Sequence, residues 1–333
     1  MMKTLAVLGA GSWGTALAIA CAGRAEKVNL WAREAEVIEG VNTSRRNPMY
    51  LPECPIPENV VAYTDFEDCL EEAELVLLVP PSHAMRRVVL YAMPWLRPEQ
   101  LVVSATKGLE ENSHLRMSQV IRESLDGEFQ PRLAVLSGPS FAREVACGEP
   151  AALVLAADDP TVAVAAQTML SGGNLRLYTN DDIVGVEIGA SVKNVIAIAA
   201  GVCAGLGLGS NTMAALITRG LAEITRLAIA YGAKPATMAG LSGLGDLVLT
   251  CNGELSRNRS LGRQLADGRK LDEILGGMSM VAEGVKTTFA AIDLARDVNV
   301  EMPIASQMAS LLAGRKSAAE ALRELMDRTL KAE

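Results

Sequence analysis

The 333-residue chain holds only two histidines and no Cys-x-x-Cys pair, and its basic clusters are as short as Arg45-Arg46 and Arg86-Arg87. With a formal charge of −8, no broad basic face is available for nucleic acid. An acidic phosphate ester must then be met by local cations. Zinc has few ligands to choose from, since only His83 and His114 could join the cysteines, and no metal is expected. Cys21, Cys54, Cys69, Cys147, Cys203 and Cys251 lie far apart in sequence, as expected of reduced thiols in a reducing compartment. Met1-Met2-Lys3-Thr4 runs straight into a strand-like segment with no charged leader, so cytoplasm is the expected location. No internal repeat, low-complexity tract or flexible linker is visible.

Half of the residues are apolar, and this length exceeds one ordinary core, which predicts two domains. Asn194 to Thr218 carries no charge. Its continuously apolar part, Val195 to Gly209, is shorter than the roughly 20 residues of a membrane span and contains Gly201, Gly205, Gly207 and Gly209. A buried helix ending in a glycine loop is expected, with no membrane span.

Up to about residue 190 short apolar runs alternate with amphipathic stretches. Leu5–Leu8, Val28–Trp31, Leu75–Val79, Leu101–Ser104, Leu133–Leu136 and Leu153–Leu155 are too short for helices. They read as parallel strands buried on both faces. Beyond Asp181 such runs stop, and Asn211–Tyr231, Val281–Asp297 and Ser317–Lys331 show helical apolar spacing. The expected fold is α/β: a Rossmann-like, doubly wound, mostly parallel sheet over residues 1–190, followed by an all-α domain over 191–333 that carries the substrate and catalytic groups. A long shared helix, rather than a tether, is expected to join them.

Gly9-Ala-Gly11-Ser-Trp-Gly14 follows the first strand and opens the amphipathic segment Thr15–Cys21. In that context the three glycines supply a tight turn, backbone approach to a pyrophosphate and close helix packing. The helix N-terminus then offers free N–H groups and a positive dipole end to phosphates. After the second strand the chain reads Trp31-Ala-Arg33-Glu34. Arg33 can meet a 2′-phosphate, so NADPH should be accepted; a solvated Arg33–Glu34 pair is the alternative. Other strand ends carry Pro80-Pro-Ser-His83, Thr106-Lys107-Gly108 and Ser137-Gly138-Pro-Ser140, and ligands of open α/β sheets bind at such ends. Lys107 is a candidate contact for cofactor or substrate. Ser140 either caps the segment Phe141–Ala146 or borders a ligand.

Hydride transfer to a ketone needs a proton donor, and the reverse needs a base. His83 precedes a helix and fits a structural role, and His114 fits the surface. Lys193 stands out because Ile188–Ile198 is apolar or small on nearly every side, where the two halves of the sequence meet. A buried lysine must find partners or lose its proton. Asp246, in Gly243-Leu-Gly-Asp, could orient Lys193, bind substrate hydroxyls, or cap a helix. Leu255-Ser256-Arg257-Asn258-Arg259 reads as a helix start capped by Ser256, and with its guanidinium it suits a phosphate or carboxylate; a solvated basic turn is the alternative.

Gly9–Ala18, Ala105–Gly108, Ser137–Ala142, Val192–Val195, Leu216–Gly220, Gly243–Thr250, Ser256–Arg259 and Val281–Gly284, taken in order, closely resemble the bacterial NAD(P)-dependent sn-glycerol-3-phosphate dehydrogenases. The resemblance implies reversible reduction of dihydroxyacetone phosphate in a cytoplasmic homodimer that supplies phospholipid synthesis. It implies Lys193 as proton acceptor. It places Lys107, Gly138, Ser140, Asp246, Ser256, Arg257 and Asn258 at substrate positions. Ser12, Trp13, Arg33, Lys107, Ala142, Arg257, Val281 and Glu283 fall at positions for NAD or NADP, with Tyr50 as a further candidate there and Asn194 as a further candidate for the substrate. Two other readings stay open: a hydroxyacid dehydrogenase or ketopantoate-type reductase binding a carboxylate at Arg257, and a non-catalytic NAD(P)H sensor.

Overall fold

The computed structural model describes residues 1–277 and 283–329, and divides into two compact units, Met1–Glu187 and Ile188–Glu333. The first unit alternates strands and helices: β1 (Met2–Leu8), α1 (Ser12–Cys21), β2 (Ala25–Trp31), α2 (Ala35–Glu39), β3 (Val60–Tyr63), α3 (Phe66–Leu70), β4 (Ala73–Leu78), α4 (Met85–Ala92), β5 (Leu101–Ser104), α5 (Met117–Ser124), β6 (Arg132–Ser137), α6 (Ala142–Ala146), β7 (Ala151–Ala156), α7 (Pro160–Leu170) and β8 (Leu175–Asn180). Then come α8 (Ile183–Gly205), α9 (Ser210–Ala230), α10 (Pro235–Met238), α11 (Asp246–Asn252), α12 (Arg257–Ala266), α13 (Leu271–Gly276), α14 (Glu283–Asp297), α15 (Pro303–Leu312) and α16 (Ala318–Met326).

The eight strands form one sheet in the order β3-β2-β1-β4-β5-β6-β7-β8. All neighbours are parallel except β6 and β7. Alternate residues of each central strand feed two cores. Leu5 and Val7 of β1 join Leu17 of α1 and Val162 and Ala166 of α7. Ala6 and Leu8 join Val88 and Val89 of α4 and Val120 and Ile121 of α5. Burial of each such leucine stabilises by about 1.5–3 kcal/mol before chain entropy is counted, so both faces of the central strands are built mainly from apolar residues. This is the doubly wound α/β class expected from the sequence.

Two strands were not legible. β8 alternates buried Leu175 and Leu177 with exposed Arg176 and Tyr178, and β3 alternates buried Val60 and Ala62 with half-buried Val61 and Tyr63. Both lie at sheet edges, where one neighbour is missing and the continuous apolar signature fades.

In the second unit every described element is helical. α8 begins earlier than the apolar run suggested. It is, among the described residues, the one helix long and apolar enough to cross a membrane, and it is buried within the protein. Its first turns are fixed in the first unit. The buried Glu187 carboxylate accepts from Ser118 N (2.7 Å), Ser118 Oγ (2.5 Å) and Arg116 Nη1 (2.7 Å). Burial raises the Glu187 pKa, and the Arg116 charge opposes that rise. Further along, α8 crosses α12 at main-chain contact. A Cβ on Gly201 would stand 2.0 Å from Arg259 O, and one on Gly262 would stand 2.0 Å from Ile198 O. The Gly201/Gly205 spacing therefore serves a close helix crossing inside the unit.

Candidate active site

β1, β2, β4, β5 and β6 run parallel, so their C-terminal ends share one edge of the sheet, and the chain reverses its direction of winding between β1 and β4. Ligands of such sheets bind at that reversal. Here the glycine turn leaves β1. Gly9 has φ +122°, and a Cβ on it would stand 2.8 Å from Val79 C and O, so both conformation and space demand glycine. A Cβ on Gly14 would fall 1.8 Å from Gly9 O, which shows that its partner is the turn itself and the end of β4. Gly11 differs, with φ −67° and no atom within 4 Å of the place a Cβ would occupy. Its lack of a side chain keeps space open in front of the first turn of α1. That turn has no side-chain cap and no acidic residue, as an entering diphosphate requires. Trp13 Nε1 beside it is buried without a hydrogen-bond partner. The chain therefore fits a dinucleotide at this place.

The loop before β3 supports the turn. Asn47 Nδ2 donates to Ala10 O (2.8 Å) and Thr15 Oγ1 (2.8 Å), and Ser12 Oγ donates to Tyr50 O (2.8 Å). Trp13 and Ala142 pack together on Ala16, Leu51, Cys54 and Ala146. The structure thus gathers Gly9, Gly11, Ser12, Trp13, Gly14, Tyr50 and Ala142 around the start of α1. Arg33, after β2, is mostly exposed and pairs with Glu34 through Nε (3.0 Å) and Nη2 (2.6 Å). Burial, and then the Glu34 charge, raise the Tyr50 pKa.

At the ends of β5 and β6, Lys107 Nζ donates to Gly138 O (2.9 Å) and lies 3.4 Å from Ser140 Oγ. Ser140 does not cap α6. Its hydroxyl donates to Gly138 O (3.0 Å), and the N-cap is Phe141, without a side-chain bond. Gly138 has φ +133°, which turns its carbonyl so that both groups converge on it. Lys107, Gly138 and Ser140 are one assembly.

In the second unit Lys193, from the middle of α8, is 5% exposed and pairs with the Asp246 carboxylate, itself 1% exposed. Its ammonium also donates to Thr250 Oγ1 (2.9 Å), whose hydroxyl donates to Asp246 O (2.6 Å). Asp246 and Thr250 are one helical turn apart on α11, so both face α8. The buried lysine has found partners: an opposite charge favours the ammonium where burial alone would strip it. Thr250 was not singled out from the sequence, although a hydroxyl four residues after the carboxylate was the available signal.

Asn194, the next residue, is buried, and its carbonyl lies close to the start of α14. A Cβ on Gly284 would stand 3.0 Å from Asn194 O and 2.6 Å from Asn258 Oδ1. Asn258 Oδ1 accepts from Gly284 N (3.0 Å). Ser256 caps α12 as expected, accepting from Arg259 N (3.3 Å). Arg257, beside it, is exposed, and Glu283 opens α14 half-buried. Val281 lies outside the described residues. No group of metal-ligating side chains occurs among the described residues.

A dinucleotide turn on a doubly wound sheet, together with a buried lysine–carboxylate pair in a helical unit, defines a nicotinamide-dependent dehydrogenase of the two-unit kind. Known proteins narrow the class. The family model for the NAD-dependent glycerol-3-phosphate dehydrogenase N-terminus matches residues 4–163, and that for the C-terminus matches residues 182–323. A glycerol-3-phosphate dehydrogenase of the NAD(P)+ type from Koribacter versatilis is 53% identical over 329 residues, with 98% of each chain covered. The crystal structure of the glycerol-3-phosphate dehydrogenase from Coxiella burnetii matches with a TM-score of 0.92 at 40% identity, covering 98% of this chain and 99% of that one. The chain belongs to the NAD-dependent glycerol-3-phosphate dehydrogenase family. The resemblance read from eight sequence blocks is thereby borne out, and with it the expectation of an NAD(P)-dependent oxidoreductase. A ketopantoate reductase from Ralstonia eutropha, at TM-score 0.61 and 16% identity over 96% of this chain and 100% of that one, shares the fold alone.

Proposed function

We propose that this chain interconverts dihydroxyacetone phosphate and sn-glycerol 3-phosphate with NAD or NADP, and that Lys193 exchanges the proton at the C2 oxygen. The observation that carries this reading is the buried Lys193–Asp246–Thr250 cluster. The bound nicotinamide supplies or accepts the hydride at C2. Lys193 Nζ donates a proton to the developing alkoxide in reduction and receives it in oxidation. Asp246 and Thr250 hold the amine in register for the transfer in both directions. Gly9, Gly11, Ser12, Trp13, Gly14, Tyr50 and Ala142 receive the dinucleotide, with Arg33 at the ribose 2′ position. Lys107, Gly138 and Ser140 contact ligand at the ends of β5 and β6. Ser256, Arg257 and Asn258, at the start of the 10-residue helix α12, hold the substrate phosphate, supported by Asn194. Val281 and Glu283 complete the cofactor contacts, and Arg257 also serves both ligands. Residues 1–190 are assigned to dinucleotide binding and 191–333 to substrate and catalysis. A homodimer working in the cytoplasm and feeding glycerophospholipid synthesis is the physiological setting of this reading.

Pure protein mixed with NADPH and dihydroxyacetone phosphate should consume NADPH absorbance. A carboxylate-bearing ketone in the same assay tests the reductase alternative, and absence of turnover with both would favour a sensor. Lys193→Ala should depress kcat far more than it alters the Kd for NADPH; near-normal turnover in that variant refutes the lysine's role.

A further inference from the structure

Cys54 and Cys147 are 93 residues apart, yet their Sγ atoms lie 3.3 Å from each other, and both thiols are free. Cys54 sits in the loop that supports the glycine turn, and Cys147 immediately follows α6. A disulfide needs about 2.05 Å between sulfurs, so closing the bond requires about 1.3 Å of approach between them. The two thiols differ in access. Cys147 is exposed and Cys54 is buried, and burial, reinforced by the neighbouring Cys147 and Glu53 and opposed by Arg143, pushes the Cys54 thiol up to about 11. An accessible attacking thiol beside a shielded one is the arrangement of a dithiol that oxidises in two steps.

We propose that Cys54 and Cys147 are a redox modification site that forms an intramolecular disulfide by exchange with low-molecular-weight disulfides, and that the bond weakens dinucleotide binding at the start of α1. In the first step the Cys147 thiolate attacks the small disulfide, forms a mixed disulfide and releases one thiol. In the second, Cys54 gives up its proton and attacks the Cys147 sulfur, forming the Cys54–Cys147 bond and releasing the second thiol. One small disulfide is reduced to two thiols as two protein thiols are oxidised.

The link to the cofactor turn is geometric. Cys54 and Ala146 pack on Ala16 of α1 with Trp13 and Ala142 against them. The same loop holds Ala10 and Thr15 through Asn47, and receives the Ser12 hydroxyl at Tyr50 O. A displacement of the loop toward Cys147 therefore reaches the first turn of α1 directly. This half of the proposal rests on the assignment of that turn to the dinucleotide.

The full-length protein is incubated with glutathione disulfide, its free thiols are counted, and non-reduced peptides are mapped. NADPH Kd is measured on reduced, oxidised and dithiothreitol-treated protein. The expected results are a fall from six free thiols to four, a Cys54–Cys147 peptide, and a Kd at least roughly threefold higher that returns on reduction. Cys147→Ser should bind NADPH as the reduced protein does and not respond to glutathione disulfide; Cys54→Ser should stop at the mixed disulfide on Cys147. A different pairing, no pairing, or a mapped bond with unchanged Kd overturns the proposal. If the reduced protein itself fails to bind NADPH while the bond still maps, it is the dinucleotide assignment that has failed.

Discussion

Replacing Asp246 by Asn leaves a buried ammonium facing an uncharged partner. Lys193 and Asp246 are 5% and 1% exposed, so water cannot take over the lost charge. Removing one member of a buried pair costs about 3–5 kcal/mol. Asn retains an oxygen acceptor and Thr250 Oγ1 remains 2.9 Å from the ammonium, which places the expected loss near the lower end, about 3 kcal/mol. Removing both charges behaves differently, because an apolar pair of similar volume leaves neither member as an uncompensated buried charge. Lys193→Met/Asp246→Leu should return to within about 1 kcal/mol of the parent or exceed it, while losing turnover. Urea unfolding at pH 7, followed by intrinsic fluorescence for the parent, Asp246→Asn and the double variant, measures all three. A single variant within about 0.5 kcal/mol of the parent, or a double variant no more stable than the single one, would refute the view that this pair is energetically closed off from solvent.

Other expectations concern the frame and the cofactor. Gly201→Ala puts a carbon 2.0 Å from Arg259 O and should destabilise by about 1–3 kcal/mol despite a better helix propensity; a thermal midpoint at or above the parent's would show that α8 and α12 can separate freely. Glu223, which accepts from Ile304 N (2.7 Å) and Ala305 N (3.3 Å) at the start of α15, is pushed by burial to about 7 despite those two donors. A carboxyl raised above its unfolded value, about 4.3, stabilises fully below that value and loses the contribution as pH rises through 7. The parent should therefore lose on the order of 3 kcal/mol relative to Glu223→Gln between pH 4.5 and 8, and a stability difference that stays flat across that window contradicts the burial argument. Arg33→Ala should raise KM for NADPH roughly tenfold with little change for NADH; equal changes for both cofactors would place the guanidinium away from the 2′ position.

The sequence was most informative where physical demands converge on one residue type. The central strands need apolar side chains on both faces, and Gly9 and Gly14 stand where a side chain has no room, so both were readable. Edge strands β3 and β8 were lost because one exposed face dilutes their pattern. Lys193 stood out as a charge in an apolar helix, but its partner did not: Asp246 equally fitted a cap, a hydroxyl-binding group or a counter-ion, and only the packing of α11 on α8 selects the last. Ser140 fitted the composition of a cap, and the carbonyl direction at Gly138 draws its hydroxyl elsewhere. The approach of Cys54 to Cys147 carries no local sequence signal, since it depends on how the loop before β3 and the end of α6 pack around α1.

The crossing of α8 and α12 has a consequence for how this chain tolerates change. Where two helices meet through main chain, the separation is set by atoms that no substitution elsewhere removes, and side chains flanking the contact are released from acting as spacers. The first turns of α12 are held against the helix bearing Lys193 by a fixed gauge, so an exchange at exposed Arg257, which takes no part in that contact, should leave the spacing of the two helices unchanged.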